Sequence, residues 1–141
     1  MRRKRRTEIL VNSSIGLAAD LAEDIISKYE VKTIEQPNHG LVMVKARETA
    51  KNSLFYLGEV MVTECKVEIN GCIGIGILKG DEPQKAFYLA VIDATYQAGL
   101  KETNDWAPRL LSAEENILRS RIELSQQILK TKVNFETMDV D

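Results

Sequence analysis

The chain has 141 residues, of which 44% are hydrophobic, 28% charged and 6% aromatic, and its formal net charge is −2. This length and composition are typical of one globular domain with an ordinary core, and they exclude a largely disordered chain. No apolar run approaches the ~20 residues of a membrane span, and no export signal is recognisable, so we expect a cytoplasmic protein that makes no membrane contact.

The basic residues are unevenly distributed. Arg2–Arg6 holds five of the nineteen, which leaves fourteen against twenty-one acidic residues in the rest of the chain. A nucleic-acid-binding domain would instead spread its basic residues over a folded face. We interpret residues 1–6 as a solvated basic turn or a mobile, partner-docking arm, and the charge pattern disfavours nucleic acid as a partner.

The first thirty residues are predicted to form two helices. The first covers Arg2–Asn12, and the second can begin at Asn12, Ser13 or Ser14, which are N-cap residue types. Apolar residues of the second helix recur at intervals of three and four: Ile15, Ala18, Ala19, Ala22, Ile25 and Ile26. Such a stripe predicts a helix with one face on the core.

A first β-hairpin is predicted to follow these helices. Its strands are Val31–Glu35 and Leu41–Arg47. Between them, Gln36–Gly40 is predicted to turn, because its proline fixes φ and its asparagine and glycine accept positive φ. Glu48–Ser53 is then the loop to the next strand.

The second β-hairpin has the clearest local signal. Phe55–Ile69 and Cys72–Leu78 flank Asn70-Gly71, the preferred pair for a type I′ turn. This turn places residues whose numbers sum to 141 opposite each other. One predicted face carries Thr63, Cys65, Val67, Ile69, Cys72, Gly74, Gly76 and Leu78. The other carries Glu64, Lys66, Glu68, Ile73, Ile75 and Ile77. Both faces are partly apolar, so we expect a helix on one and a partner chain over part of the other.

Two more helices are predicted after the hairpins. Gln84–Gln97, capped by Asp81, is apolar nearly all round and should be buried centrally. Trp106–Pro108 is predicted to be a connector, and Ser112 with Glu115 forms a capping box that starts the last helix. This helix should end near residue 130 and turn the following side chains inward: Ile117, Leu118, Ile122, Leu124, Ile128 and Leu129.

The predicted fold class is α+β, with one domain over residues 1–141. An antiparallel sheet of two β-hairpins packs with the N-terminal helices, a buried central helix and a long C-terminal helix, and residues 133–141 form a tail.

No set of residues predicts catalysis or a metal site. A closed zinc site needs about four ligands, whereas the chain has one histidine, His39, and two cysteines. In the predicted register Cys65 and Cys72 lie four pairs apart, roughly 13 Å at ~3.3 Å per residue, which excludes a shared ion and a disulfide. We expect Cys65 to pack in the core, His39 to lie in an exposed turn, and no cofactor to bind.

A weak anion site is the remaining local candidate. Gly80 precedes a helix N-terminus, and Lys79 and Lys85 flank it, which favours an anion there. Asp81 and Glu82 in the same turn repel phosphate. The glycines fit neither common phosphate-loop motif, and Gly74 and Gly76 are better explained by close approach of a helix.

Three ordered stretches resemble the PhnG family, a subunit family of the bacterial carbon–phosphorus lyase system. They are Gly40–Arg47, Phe55–Val67 and Gly71–Ala94. The tail Val133–Met138 is also similar to the family's C-terminal segment, which tends to read V-x-F-x-T-M. The basic run Arg2–Arg6 departs from the family pattern, so we assign it no family role.

The resemblance implies an accessory role in phosphonate metabolism. PhnG-like chains act with PhnH, PhnI and PhnJ subunits in a core complex, and PhnL is also needed for the first reaction. That reaction displaces adenine from ATP with a phosphonate and gives ribose 1-phosphonate 5-triphosphate. The resemblance places the nucleosidase-like chemistry on the PhnI type and the radical cleavage on the PhnJ type. It brings no catalytic residue to this chain.

We therefore expect a scaffold that orders partner subunits. The expected partner-contact residues are Ile73, Ile75, Ile77, Trp106, Phe135 and Met138. Core packing is the competing interpretation of Trp106. Without partners, exposed apolar surface should cause self-association into a homo-oligomer. The alternative function is a stand-alone module that binds nucleotide at Lys79–Lys85 or nucleic acid through the basic run.

Overall fold

The fold is α+β, as predicted, with four helices and one three-stranded antiparallel sheet. The computed structural model describes the backbone of residues 1–138 and the side chains of residues 1–133. The elements in chain order are α1 (Arg3–Asn12), α2 (Ile15–Lys28), β1 (Lys32–Arg47), β2 (Leu54–Ile69), β3 (Cys72–Lys79), α3 (Pro83–Gln97) and α4 (Thr103–Met138).

The second hairpin has the predicted register. β2 and β3 pair antiparallel with Ile69 opposite Cys72 and Val67 opposite Gly74, so each pair sums to 141. Asn70 and Gly71 have φ values of 51° and 80°, as a type I′ turn requires at both central positions. A two-residue turn leaves no slack, so it fixes the pairing of both strands.

The first hairpin was predicted in the wrong place. β1 runs unbroken from residue 32 to residue 47 and pairs with β2, so Gln36–Gly40 is not a turn between two strands. β1 is an edge strand, where the missing N–H of Pro37 is tolerated. Register shifts around Glu35 absorb the irregularity. The hairpin instead closes through residues 48–53, the segment predicted as a loop.

The central helix packs directly on the two glycines of β3. A Cβ built on Gly74 would lie 2.2 Å from both the Ala90 carbonyl oxygen and the Ala94 nitrogen. A Cβ on Gly76 would lie 2.1 Å from the Ala86 carbonyl oxygen. These atoms belong to the helix backbone, so the predicted role of the glycines in close helix packing is confirmed. α2 covers the other side of α3, so α3 is buried between the sheet and α2, as predicted.

The start of α3 differs from the prediction. Its N-cap is Glu82 rather than Asp81, and no side chain of the cap bonds to the helix. Thr63 of β2 caps the helix instead, although it is not part of the helix. Its hydroxyl accepts the Glu82 N–H at 3.0 Å and donates to the Gly80 carbonyl at 2.5 Å. The strand therefore holds the turn into the helix.

The last helix is much longer than predicted. α4 begins at Thr103 and continues to Met138, so the capping box at Ser112 does not start it and residues 133–138 are helical rather than a tail. Pro108 lies inside the helix, near its beginning. Trp106 is 3% exposed and meets the Tyr96 ring edge-on at 5.8 Å, and this tertiary packing outweighs the helix-breaking tendency of the proline. None of the helices in the described part of the chain carries an apolar stretch that could cross a membrane.

The basic N-terminal run belongs to a helix held on the body, not to a mobile arm. Four of its five basic residues are nevertheless exposed, as the alternative of a solvated basic turn expects. Arg3–Arg6 lie in α1. Arg5 forms a bidentate pair with Glu114 of α4, at 2.9 and 2.6 Å. Arg3 and Arg6 both bond to Asp93 of α3. The sequence showed the charge density but not the partners, which lie 87 to 109 residues away along the chain.

Candidate interaction surfaces

The histidine and the cysteines that were considered as metal ligands do not form a site. His39 lies in β1 rather than in a turn, and its Nε2 is 2.7 Å from the Asp81 carboxylate, on the protein surface. Cys65 is fully buried, and burial raises the pKa of its thiol to about 11, so it is a thiol rather than a nucleophilic thiolate. Among the side chains of residues 1–133, no group of three or more His, Cys, Asp or Glu residues is arranged to hold a metal ion.

Lys85 is not available for the anion contact. Its ammonium group donates to the carbonyl oxygens of Val11 and Ser13, at 3.0 and 2.9 Å, and the residue is 6% exposed. These are carbonyls at the C-terminal end of α1, where a cation is favoured. Lys85 therefore joins α3 to the corner between α1 and α2. An anion contact through Lys79 and Gly80 stays a prediction.

Asp93 gathers the most concentrated polar contacts of the described chain. Its carboxylate accepts two bonds from Arg3, at 3.0 and 2.6 Å, and one from Arg6 at 3.0 Å. It also accepts the backbone N–H of Ile75 at 2.9 Å. The Arg6 guanidinium additionally lies 3.9 Å from the centre of the Tyr96 ring. The cluster ties α1, α3 and the free edge of β3 together, so its role is structural.

The open face of the sheet lies opposite α3. Ile73, Ile75 and Ile77 project from it and are 52%, 37% and 44% exposed. Beside them Lys66 bridges Glu35 and Glu64, at 3.3 and 3.5 Å, and these contacts raise the pKa of Lys66. The predicted second face is therefore present in the structure, with its apolar edge uncovered.

The β1–β2 pair extends beyond the third strand as a two-stranded ribbon. β3 pairs with β2 only over residues 62–69, so residues 41–47 and 54–61 pair with each other alone. Large apolar side chains on both ribbon faces are more than 40% exposed: Leu41, Val42, Met43, Leu54, Phe55, Tyr56, Leu57 and Met61. A ribbon of this kind is marginally stable by itself, which indicates that something covers it.

The distal half of α4 is a second uncovered element. Trp106 and Leu110 are in the core and Ile117 packs against it, but every residue from 118 to 133 is exposed. The predicted inward position is therefore wrong for Leu118, Ile122, Leu124, Ile128 and Leu129, which are 51–60% exposed. The apolar residues do recur with helical periodicity, but α4 extends beyond the rest of the protein, so nothing in the described structure covers them.

The predicted partner-contact residues are scattered over these elements. Ile73, Ile75 and Ile77 share the open sheet face. Trp106 is in the core, as its competing interpretation held, and offers almost no surface to a partner. The side chains of Phe135 and Met138 lie outside the described residues. Sequence reasoning missed the ribbon. Its signal was that the first two strands are longer than the third strand and carry apolar residues on both faces.

Comparison with known proteins shows the family to which the chain belongs. The model of the family described as "Phosphonate metabolism protein PhnG" matches residues 1–139. The chain belongs to the PhnG family. It is also 27% identical to a Rhizobium meliloti (strain 1021) protein named alpha-D-ribose 1-methylphosphonate 5-triphosphate synthase subunit PhnG, over 96% of this chain and 87% of that protein.

Membership of the PhnG family confirms the resemblance that three segments of the sequence carried. Those segments, Gly40–Arg47, Phe55–Val67 and Gly71–Ala94, contain parts of all three strands and most of α3. In this PhnG chain they form the sheet and the helix packed on it. The segments that carried the resemblance therefore lie in the scaffold and in the ribbon that it projects.

Proposed function

We propose that this chain is an accessory, non-catalytic subunit of the carbon–phosphorus lyase core complex. In this role it supports formation of ribose 1-phosphonate 5-triphosphate from ATP and an alkylphosphonate, during the catabolism of organic phosphonates. The observation that carries the proposal is the PhnG family match over residues 1–139. The relative from Rhizobium meliloti, whose name makes it a subunit of a synthase, gives it further support.

The distribution of apolar surface supports a subunit rather than an independent enzyme. Three elements leave large side chains uncovered: the open sheet face, the ribbon and the distal half of α4. Contiguous apolar surface of this extent is typical of protein–protein interfaces. On this proposal catalysis takes place on a partner subunit, and the chain needs no metal or cofactor of its own.

The proposed partners are PhnH-, PhnI- and PhnJ-like subunits, with a PhnL-like subunit needed for the reaction. We assign the open sheet face, with Ile73, Ile75 and Ile77, to contact with one of them. This face has an apolar row on the edge strand β3 beside a polar row on the central strand β2 that contains Glu64 and Lys66. Exposed apolar side chains of this kind, with charged side chains along one side, suit a protein–protein contact in which the isoleucines are buried and the charged row stays at the border.

Co-expression tests the proposal. The tagged chain is produced with the PhnH-, PhnI- and PhnJ-like chains of its source, purified, and sized by chromatography with light scattering. We expect a stable complex that contains all four chains and gains synthase activity when the PhnL-like subunit is added. A chain that purifies as a well-behaved monomer and ignores those partners would refute the proposal. ATP binding by that monomer would then favour the nucleotide-binding alternative.

A further inference from the structure

The distal half of α4 carries an apolar stripe with basic residues on both sides. Leu118, Ile122 and Leu129 are separated by four and seven residues, so at 3.6 residues per turn they lie within about 40° of one another on the helix. All three are more than half exposed. Arg121 and Lys132 flank this stripe on one side of the helix.

The opposite flank of the stripe is basic as well. Arg119 and Lys130 lie there, about 80–100° from the centre of the stripe. Glu123 is the single acidic residue between positions 118 and 133, and it lies about 120° from the centre of the stripe, at the outer edge of the flank that carries Arg119 and Lys130. The segment therefore has a net charge of +3 in a chain whose overall charge is −2.

This charge pattern indicates what kind of surface can bind the stripe. Two copies of the stripe packed together, parallel or antiparallel, would place basic flank against basic flank, which repels. An apolar groove with carboxylates along both rims would match the stripe and both flanks at once. We propose that residues 118–133 form a docking helix that lies in an acid-rimmed apolar groove of a partner subunit. The inference rests on the proposed function and names the surface and the chemistry of one contact.

The position of the segment fits this role. Residues 118–133 extend along about 24 Å of helix beyond the last core contacts of α4, at 1.5 Å per residue. The first half of the same helix is fixed to the body by Trp106 and Leu110 and by the Arg5–Glu114 pair. The docking helix is therefore held in place by its own N-terminal half before a partner binds, which lowers the entropic cost of association.

The test compares three variants in the assembled complex. The variant Leu118→Ala/Ile122→Ala/Leu129→Ala removes the stripe without affecting the core, and Ser120→Ala/Glu123→Ala/Gln127→Ala is its matched control on the polar side. The variant R119E/R121E/K130E/K132E reverses both flanks. Affinity for the complex of PhnH-, PhnI- and PhnJ-like subunits is measured by biolayer interferometry at several salt concentrations, and circular dichroism checks that each variant is folded.

We expect the stripe and charge variants to bind at least tenfold more weakly than wild type, and the control to bind equally well. Raising the salt should weaken binding of the wild type and strengthen binding of the charge variant, because salt screens an attraction in the first case and a repulsion in the second. If the wild type assembles and the stripe variant binds equally tightly, the docking helix is refuted while the proposed function stands. If the wild type does not assemble with these subunits, both the docking helix and the proposed function are refuted.

Two further measurements identify other occupants. Sedimentation with vesicles of phosphatidylserine and phosphatidylcholine tests a membrane surface. Binding that the charge variant loses, with assembly unchanged, would overturn the inference in favour of the membrane. Light scattering of the isolated chain tests a second copy. A dimer that only the stripe variant disrupts, again with assembly unchanged, would overturn it in favour of self-association.

Discussion

Arg6 of α1 and Asp93 of α3 form a buried ion pair, with their charged atoms 3.0 Å apart and both side chains more than nine-tenths buried. Asp93 also bonds to Arg3 and to the backbone N–H of Ile75. A buried pair with these additional hydrogen bonds is expensive to break from one side, because the remaining charge cannot return to water.

Removal of Asp93 should therefore destabilise the protein strongly. We expect Asp93→Ala to lower the free energy of unfolding by about 3–5 kcal/mol, since it leaves the Arg6 guanidinium buried and unpaired. Urea unfolding followed by circular dichroism measures the loss. Arg5→Ala, which breaks the exposed pair with Glu114, is the control and should change stability little. Equal stability of the two variants would contradict a structural role for Asp93.

The glycines of β3 should not tolerate a methyl group. Gly74→Ala and Gly76→Ala would each place a Cβ near 2 Å from backbone atoms of α3. We expect a loss of about 1–3 kcal/mol or more in the free energy of unfolding, because α3 must move away from the sheet. Thermal unfolding of both variants measures it. The control is Gly16→Ala in α2, where the new Cβ would be 3.6 Å from the Ser14 hydroxyl and the helix should gain stability. An unchanged Gly74→Ala protein would show that the packing is looser than described.

Stability should fall at high pH through Cys65. Burial, with a smaller contribution from the negative charge of Glu35, raises the pKa of its thiol to about 11, above the ~8.5 of an unfolded cysteine. The unfolded state therefore loses this proton first, so the contribution of Cys65 is fully present below about pH 8.5 and is lost as the pH rises to about 11. Urea unfolding from pH 7 to 11 measures this loss.

The variant Cys65→Ala isolates this contribution from other groups that titrate at high pH. We expect the stability advantage of the wild type over Cys65→Ala to shrink between pH 8.5 and 11. A constant difference across this range would mean that the thiol ionises normally in the folded protein. Below pH 9 the native Cys65 should also resist labelling by iodoacetamide, and the half-buried Cys72 should be labelled first.

The open sheet face should matter for assembly rather than for folding. Ile73→Ala/Ile75→Ala removes side chains that are 52% and 37% exposed, so the isolated chain should remain folded. We expect this double variant to lose co-elution with the partner subunits on a sizing column. Ile26→Ala, which changes an isoleucine of similar exposure on α2, should leave co-elution intact. If the double variant assembles normally, this face is not part of the interface.

The β1–β2 ribbon should be the most dynamic part of the sheet in the isolated chain. Residues 41–47 and 54–61 lack a third strand, so their amide hydrogens should exchange faster than those of residues 62–69. Hydrogen–deuterium exchange with mass spectrometry compares the two halves of β2. Assembly with the partner subunits should slow exchange in the ribbon. Equal exchange in free and assembled protein would show that no partner covers it.

The sequence determined those features whose causes are local. Asn70-Gly71 fixed the register of β2 and β3, because a two-residue turn with two positive φ values allows a single pairing. Gly74 and Gly76 indicated where a helix would approach, since only a residue without Cβ fits there. The residues of three ordered stretches, Gly40–Arg47, Phe55–Val67 and Gly71–Ala94, also carried the resemblance to the PhnG family, which the family match confirms.

Only the tertiary structure decided the features that depend on distant partners. Pro37 is accommodated because β1 is an edge strand, and Pro108 because Trp106 anchors the start of α4 in the core. The arginines of α1 fold onto the body because Asp93 and Glu114 come within bonding distance. The periodicity of α4 predicted its apolar stripe but not what covers it. A pattern of side chains shows that one face of a helix is apolar, but it does not show how far the rest of the protein extends along that face.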